Sequence, residues 1–311
     1  MSEYEGPRSS EQNSRVMDRS LRAVLAAAHH RLEAAGIASP SADAHLLAAH
    51  VLGVPRGELS RRVVLGYELA ADEAARLEDA VARRAERVPL QHLTGLAPFR
   101  RLELLVGPGV FVPRVETELL AGWAVESAAG VAAAGGAPLV VDLCTGSGAI
   151  ALAVADEVPQ ARVIAVELGP DAVAWARRNV ARLGLGGRVD VRAGDAARAD
   201  AGVLVDVAGQ VDVVAANPPY IPPDADPVEP EVRDHDPALA LYGGGDDGLA
   251  VPRAVVATAA RLLRPGGLLL MEHGELQGAA TRAFASGPDW AGARTERDLT
   301  GRDRALVAVR S

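Results

Sequence analysis

The sequence predicts an α/β protein in which a parallel, doubly wound sheet follows a small all-helical domain and a β-hairpin connector. Three observations support this fold class. From Leu139 onwards, short apolar runs alternate with helical patterns, which is typical of parallel sheets. Residues 16–88 contain only helical patterns of apolar residues. Residues 89–113 are instead rich in Gly, Pro and β-forming residues.

The chain has 311 residues, which is long enough for one large domain and a smaller one. Residues 1–15 are polar and rich in Ser, Glu and Arg, so they are predicted to be a disordered tail. The predicted helical domain spans residues 16–88, and the predicted hairpin or linker spans residues 89–113. The sheet domain is predicted to occupy residues 114–311.

Three helices are predicted in the small domain. Apolar residues repeat at helical spacing over residues 16–35. Ser39 or Ser41 is placed to cap a second helix, which ends at Gly53. A third helix is predicted over residues 71–87, where charged residues cover the face opposite the apolar one.

A further helix is predicted to open the sheet domain at Arg114. Glu116 and Glu118 then lie in its first turn, where the helix dipole favours acidic side chains. Later strands and helices alternate up to the end of the chain. The predicted strands are LVVDL, RVIAVE, RVDVR, VDVVAA, GLLLMEHG and RALVAVR. The acidic, Pro- and Gly-rich residues 222–248 form a loop of a length that is usually functional or disordered.

Composition limits the possible environments and partners. Hydrophobic residues make up 49% and charged residues 23% of the chain, as in globular proteins. A net charge of −9 argues against broad, non-specific nucleic-acid binding. Cys144 is the single cysteine, so no intramolecular disulfide can form. Neither a long uncharged apolar stretch nor a signal-peptide pattern is present, and we therefore expect a cytoplasmic protein.

A glycine-rich turn after the first strand of the sheet predicts a nucleoside ligand. Gly146 and Gly148 allow a ligand to approach the backbone and tolerate positive φ. Glu167 ends the next strand, where an acidic side chain can accept hydrogen bonds from two ribose hydroxyls. The turn also matches the Gly-x-Gly-x-x-Ala form of the dinucleotide pattern, so these residues do not identify the ligand.

The segment Asn217-Pro218-Pro219-Tyr220 indicates methyl transfer to a planar nitrogen. It follows an apolar strand, which the two prolines end by removing backbone donors. The Asn217 side-chain oxygen and the Pro218 carbonyl can accept both N–H bonds of an amide or amine, and Tyr220 offers a face to the planar group. Orientation is then the main catalytic contribution, so neither a metal nor a strong base is needed.

Three other readings stay open at this point. A nucleic-acid adenine or cytosine amino-methyltransferase would use the same turn, although the acidic charge counts against it. A nucleotide-binding module without catalysis requires this turn to be buried away from the ligand. A nicotinamide enzyme is disfavoured because no acid/base pair is evident near the glycine turn.

Six segments together resemble the protein-(glutamine-N5) methyltransferases that modify peptide-chain release factors. The resemblance covers residues 21–310, and two of its segments are more specific to the family than the Asn-Pro-Pro-Tyr turn. The segments are RVPLQHLTGLAPF (87–99), VFVPRVETELL (110–120), DLCTGSGAIALAVA (142–155), NPPYIP (217–222), EPEVRDHDPALALYGGGDDGL (229–249) and LTGRDRALVAV (299–309). The more specific pair is 110–120 and 229–249.

The resemblance implies a Rossmann-like class I S-adenosylmethionine-dependent methyltransferase domain behind the helical domain and hairpin. The substrate would be the glutamine of the Gly-Gly-Gln motif in class 1 release factors, methylated at N5. S-adenosyl-L-methionine would be the donor and S-adenosyl-L-homocysteine the product, with no metal. The helical domain and connector would help to hold the protein substrate, without direct contact to nucleic acid or membrane.

The resemblance also implies roles for individual residues. The donor-binding residues would be Cys144, Thr145, Gly146, Ser147, Gly148, Glu167, Asp195, Ala196 and Asn217. The substrate-binding residues would be Asn217, Pro218, Pro219 and Tyr220, of which Asn217, Pro218 and Tyr220 would be catalytic.

The sequence departs from the family pattern at three positions. Cys144 stands where glycine is usual, so its side chain must point away from the donor or reshape the loop. Val115 replaces a proline between Arg114 and Glu116. Ala196 lies where some members have an aromatic residue near the adenine, and its methyl group cannot stack.

Overall fold

The computed structural model describes residues 18–311, so the predicted tail over residues 1–15 lies outside the described residues. The chain forms two compact units, one up to Leu90 and one from Gln91 to Ser311. The finer division into a domain over residues 16–88 and a connector over residues 89–113 stays a prediction. Among residues 18–311, no helix combines the length and apolar character needed to cross a membrane.

The first unit consists mainly of four helices. They are α1 (Leu21–Ala34), α2 (Pro40–Leu52), α3 (Arg56–Val64) and α4 (Ala71–Ala85). The first helix begins later than predicted because the Ser20 hydroxyl accepts a hydrogen bond from the Ala23 amide and caps it. Gly53 ends α2 in the left-handed conformation. Nothing in the sequence pattern predicted α3, a helix of nine residues with only one buried side chain.

A buried ion pair links two helices of this unit. Arg84 Nε on α4 donates to Asp43 Oδ2 on α2 at 2.8 Å, and both side chains are about nine-tenths buried. Because a charge in an apolar interior is costly without its partner, each side chain needs the other. Leucines such as Leu32, Leu47 and Leu77 supply the surrounding core.

The predicted hairpin exists but is shorter than residues 89–113. It consists of β1 (Leu96–Phe99) and β2 (Leu102–Leu105), which pair antiparallel and follow the short helix α5 (Leu90–Thr94). Arg100 adopts a left-handed φ of 52° in the turn. Residues 106–116 contain no regular element.

The next helix, α6 (Thr117–Ala133), begins three residues after the predicted start. Glu116 is its N-cap residue rather than a first-turn residue, which corrects the sequence prediction. Glu118 does lie in the first turn, and its Oε1 accepts a hydrogen bond from the Arg100 amide at 3.0 Å. This carboxylate therefore ties the hairpin turn to α6.

A seven-stranded sheet forms the centre of the second unit, in the order β5-β4-β3-β6-β7-β9-β8. Its strands are β3 (Leu139–Leu143), β4 (Arg162–Glu167), β5 (Val189–Ala193), β6 (Val211–Ala216), β7 (Leu263–Glu272), β8 (Trp290–Arg297) and β9 (Asp303–Arg310). The first five in chain order are parallel, but β9 pairs antiparallel with both β7 and β8. The predicted parallel sheet is therefore confirmed for five strands, and the antiparallel pairing of β9 at one edge is a feature that the sequence pattern did not indicate.

Edge strand β8 escaped prediction because its residues are largely exposed and give no apolar run. The central strands, by contrast, are buried on both faces, as their continuous apolar sequences predicted. Besides α6, four helices accompany the sheet: α7 (Ala149–Glu157), α8 (Pro170–Arg182), α11 (Ala250–Leu262) and α12 (Gly278–Phe284). Two separate apolar clusters fill the space between the helices and the sheet.

The long segment over residues 222–248 contains two short helices, α9 (Pro230–His235) and α10 (Ala238–Leu241). Its far end returns to the Asn-Pro-Pro-Tyr turn. The Ile221 amide donates to the Leu241 carbonyl at 2.8 Å, and the Gly243 amide donates to the Ile221 carbonyl at 3.1 Å. This pairing attaches the segment to the turn.

The strand register aligns the carboxyl ends of β3, β4 and β6, which carry the predicted site residues. Leu143 at the end of β3 lies opposite Val166 of β4 on one side and Ala216 of β6 on the other. The next residues along these strands are Cys144, Glu167 and Asn217. The glycine turn therefore lies between the acidic residue and the asparagine, at the carboxyl edge where ligands bind in such sheets.

Candidate functional site

A cavity of about 750 Å³ opens at this edge of the sheet. The predicted site residues that line it are Cys144, Thr145, Gly146, Ser147, Glu167, Asp195, Ala196, Asn217, Pro218, Pro219 and Tyr220. Gly148 does not line it, and instead caps α7 with a φ of 90°. The structure thus brings all but one of these residues together, while their individual roles stay predictions.

The glycine turn has an unusual backbone over three of its residues. Gly146 and Gly148 have positive φ, and so does Cys144, at 62°. A non-glycine residue in this left-handed region is strained by roughly 1–2 kcal/mol. The thiol packs against the apolar cluster that contains Leu143, and burial raises the pKa of Cys144 well above its usual range. The backbone of Cys144 is therefore strained at a position whose φ favours glycine.

Asp142 holds the turn from beneath. Its Oδ2 accepts hydrogen bonds from the Thr145 hydroxyl at 2.5 Å and from the Ala151 amide at 3.0 Å. The carboxyl is fully buried, and this burial raises its pKa to about 7. Asp142 thus connects the glycine turn with the first turn of α7.

Glu167 is fixed by three backbone amides. Its Oε2 accepts from Gly146 at 2.8 Å, and its Oε1 accepts from Leu168 and Gly169, both at 2.8 Å. A carboxylate offers about four lone-pair positions, so hydrogen-bonding capacity is left for a ligand. The predicted ribose-binding acid is therefore also the residue that anchors the glycine turn.

Asp195 and Ala196 line the cavity beyond β5. Asp195 Oδ1 accepts from the Ala197 amide at 2.9 Å and caps a short 3₁₀ turn, Ala196–Ala201. Ala196 is buried and offers only a methyl group to a ligand. An apolar contact is available at this position, whereas aromatic stacking is not.

The Asn-Pro-Pro-Tyr turn faces the cavity, so the reading in which it is buried away from a ligand is not supported. Asn217 Nδ2 donates to Thr117 Oγ1 at 3.1 Å. The Tyr220 hydroxyl donates to Glu272 Oε1 at 3.3 Å, and the pKa of Tyr220 is raised by burial and by that carboxylate. The backbone carbonyl of Tyr220 accepts a hydrogen bond from Gln277 Nε2 at 2.9 Å. The side chains of Thr117, Glu272 and Gln277, which are distant in sequence from the turn, therefore fix it.

Two glycines of the segment over residues 222–248 pack directly on the turn. A Cβ atom on Gly243 would lie 2.6 Å from the Pro219 carbonyl oxygen, and one on Gly248 would lie 2.5 Å from that of Tyr220. Both distances are shorter than any tolerated carbon–oxygen contact. The glycine-rich end of this segment therefore packs against the backbone of the turn.

Thr117 and Glu272 were not predicted as site residues. Thr117 is the first residue of α6, and Glu272 is the last residue of β7. The Thr117 hydroxyl donates to Glu272 Oε2 at 2.7 Å, and both side chains are buried and line the cavity. The available signals were an acidic residue at a strand end and a threonine within the segment VFVPRVETELL (110–120). Neither signal shows that the two residues meet.

The expectation that no metal is needed stays a prediction. Among the described residues, one group of side chains has the geometry of a possible metal site. His29, His30 and Glu33 of α1 place ligand atoms within 4.8 Å of one another, and they are partly or fully exposed. This group belongs to the first unit, whereas the cavity lies in the second.

Two family models match the chain. Residues 23–95 match the PrmC N-terminal domain, and residues 140–229 match a methyltransferase domain. Together with the sheet order and the glycine turn, the second match defines the chain as an S-adenosylmethionine-dependent methyltransferase with a Rossmann-like fold.

Curated relatives identify the family more closely. The chain is 50% identical over 290 residues to the release factor glutamine methyltransferase of Streptomyces coelicolor, covering 93% of this chain and 97% of the relative. It is 48% identical to the protein of the same name from Mycolicibacterium smegmatis, with 93% and 98% coverage. For that of Deinococcus radiodurans, the identity is 41%, with 94% and 99% coverage. The chain belongs to the release factor glutamine methyltransferase family.

Proposed function

We propose that this protein transfers a methyl group from S-adenosyl-L-methionine to the side-chain nitrogen N5 of a glutamine. The target is the glutamine in the Gly-Gly-Gln motif of class 1 peptide chain release factors. The observation that supports this proposal is that Cys144, Glu167 and Asn217 each follow a residue of one strand register, and that all three line one cavity. Family membership supports the choice of a release factor as substrate.

The cavity suits the proposed donor. Glu167 offers a fixed acceptor for the ribose, and the open space beside Gly146 lets the ligand approach the backbone. The lining of the cavity includes the buried apolar side chains of Ala196 and Leu241. When bound, the donor supplies an electrophilic methyl group on a cationic sulfur.

The protein's own contribution is to orient the nucleophile. The nitrogen lone pair of a glutamine amide is delocalised, so the amide is a poor nucleophile unless it is held in line. Asn217 Oδ1 and the Pro218 carbonyl oxygen each accept one N–H bond of the amide, and Tyr220 packs against its plane. As the nitrogen–carbon bond forms and the carbon–sulfur bond breaks, the extra proton on nitrogen passes to water. No metal takes part in this proposal.

The same proposal places the protein in the cytoplasm, where release factors act, without a nucleic-acid or membrane partner. The test is a methyl-transfer assay with labelled S-adenosyl-L-methionine. Purified release factor, its motif Gln→Ala variant, duplex DNA and single-stranded DNA are offered separately. Label on the wild-type release factor alone is the expected result. Label on DNA alone, or equal label on the Gln→Ala variant, would refute the proposal.

A further inference from the structure

A chain of three hydrogen-bonded side chains leads from the interior to Asn217. Glu272 Oε2 accepts from the Thr117 hydroxyl at 2.7 Å, and Thr117 Oγ1 accepts from Asn217 Nδ2 at 3.1 Å. The three residues come from β7, from the start of α6 and from the turn after β6. Glu272 Oε1 also accepts from the Tyr220 hydroxyl at 3.3 Å.

The direction of each bond follows from the donors that each group possesses. An ionised carboxylate is only an acceptor, so both hydroxyls that face Glu272 must donate to it. The Thr117 hydroxyl has a single proton, so its oxygen can only accept from the asparagine. Asn217 therefore turns its NH₂ group towards Thr117 and leaves Oδ1 for a ligand.

We infer that Glu272, acting through Thr117, is a positioning residue that keeps the acceptor oxygen of Asn217 directed at the substrate amide. This inference rests on the proposed glutamine methylation, because a donor N–H of the substrate is what the oxygen has to meet. A flipped Asn217 would present its NH₂ group to the NH₂ group of the substrate, and no hydrogen bond could form. Glu272 also fixes Tyr220, so one carboxylate orders both side chains of the turn.

The protonation state of Glu272 determines which way the hydrogen bonds between Glu272, Thr117 and Asn217 are donated. A protonated carboxyl can donate to Thr117, which then donates to Asn217 Oδ1 and favours the flipped amide. The ionisable groups that face Glu272 are Arg304, Tyr220 and Glu116. Arg304 and the Tyr220 hydroxyl lower the pKa of Glu272 and favour its ionised form, whereas Glu116 raises that pKa. Burial nevertheless raises the pKa of Glu272. Turnover should therefore fall as the pH falls through this raised pKa.

Thr117→Val and Glu272→Gln each alter a single hydrogen-bonding group and nearly preserve volume. Thr117→Val removes the hydroxyl, whereas Thr117→Ser keeps it. Glu272→Gln replaces a pure acceptor by a group that can also donate towards Thr117. We expect kcat on release factor to fall about tenfold or more in Thr117→Val and Glu272→Gln, as for loss of about one hydrogen bond in the transition state. Thr117→Ser should stay within about threefold of wild type.

Coupling between the two sites distinguishes positioning from general damage. If both residues act through one chain, the Thr117→Val/Glu272→Gln double variant should lose about as much as either single variant, rather than the product of the two losses. Donor affinity and Tm should stay close to wild type. The low-pH decline of kcat should disappear in Glu272→Gln. Thr281→Val is a matched control, since among residues 18–311 the hydroxyl of this buried threonine bonds only within its own helix, to the Gly278 carbonyl.

Failure of this inference can be separated from failure of the proposed function. An inactive wild-type protein on release factor would refute the proposed function itself. An active wild type with unchanged kcat in Thr117→Val, or with independent losses that multiply in the double variant, would overturn the positioning role. Failure of Thr117→Ser to retain activity would also overturn it, because the hydroxyl would not be the group that matters.

Discussion

Replacing Glu167 by glutamine tests the donor site most directly. In the wild type, the carboxylate accepts three backbone hydrogen bonds at 2.8 Å. The glutamine side chain has the same shape, but its NH₂ group would face backbone N–H groups on one side. The substitution therefore removes the charged acceptor from the ribose and loosens the tie to Gly146 at the same time.

The size of the effect follows from the bonds that are lost. A hydrogen bond to a charged group contributes about 1.5–3 kcal/mol, and with three backbone amides bound this carboxylate has about one lone-pair position left for a ribose hydroxyl. Water replaces part of this interaction in the variant, so we expect a net loss of about 2–3 kcal/mol. That loss corresponds to a dissociation constant raised about 30- to 150-fold.

Calorimetric titration with S-adenosyl-L-homocysteine measures this change without turnover. Glu229→Gln is the matched control, because Glu229 also lines the cavity but is exposed and caps no helix by its side chain. It should leave the dissociation constant within about threefold of wild type. An affinity for Glu167→Gln that is also within this range would refute the assignment of Glu167 to the ribose.

Four further predictions concern catalysis and stability. Asn217→Ala should abolish methylation while equilibrium dialysis shows donor binding largely retained, because it removes an amide acceptor; unchanged turnover would contradict this role. Cys144→Gly should be more stable to urea than Cys144→Ala by about 1 kcal/mol, since only glycine relieves the left-handed φ of 62°; equal stability would remove the strain argument. Arg84→Met should destabilise the helical unit by about 3–5 kcal/mol in urea unfolding, because it leaves the buried Asp43 carboxylate unpaired; a loss below about 1 kcal/mol would contradict this. Burial raises the pKa of Asp142 to about 7, so the folded state binds this proton more tightly and loses stability as pH rises from about 4 to 7. Asp142→Asn should lack that decline, so urea unfolding across this range should show its stability rising relative to wild type by up to about 1.4 kcal/mol per pH unit; a constant difference would refute the shift.

The sequence predicted those parts of the fold whose signal is local. Strands such as Val211–Ala216 are buried on both faces, so continuous apolar runs marked them. Edge strand Trp290–Arg297 and helix Arg56–Val64 bury few residues and produced no comparable pattern. The start of α6 was misplaced because both glutamates near it suit a first turn, and only the backbone shows that Glu116 precedes the helix.

In the candidate site, too, local motifs were predictable from the sequence and long-range contacts were not. Short motifs identified the glycine turn and the Asn-Pro-Pro-Tyr turn, and strand alternation was sufficient to place both at one edge of a sheet. The contact between Thr117 and Glu272, by contrast, joins residues 155 positions apart. Its existence depends on where α6 packs against β7, which no local pattern encodes. The sequence showed Gly243 and Gly248 only as members of the Pro- and Gly-rich loop over residues 222–248. In the structure, their lack of side chains allows this loop to contact the Asn-Pro-Pro-Tyr turn.

Under the proposed function, the arrangement of acceptors also suits one turn to a weak nucleophile. Glu272 lines the cavity, but each of its oxygens already receives a hydroxyl proton, from Thr117 and from Tyr220. It is therefore poorly suited to take a proton from the substrate and well suited to fix the groups around it. In the proposed mechanism, this carboxylate orders the side chains of the turn and the two prolines stiffen its backbone, so that the turn is oriented before the substrate binds. On this reasoning, substitutions around the turn should lower kcat more than they weaken donor binding, whereas substitutions at Glu167 should do the reverse.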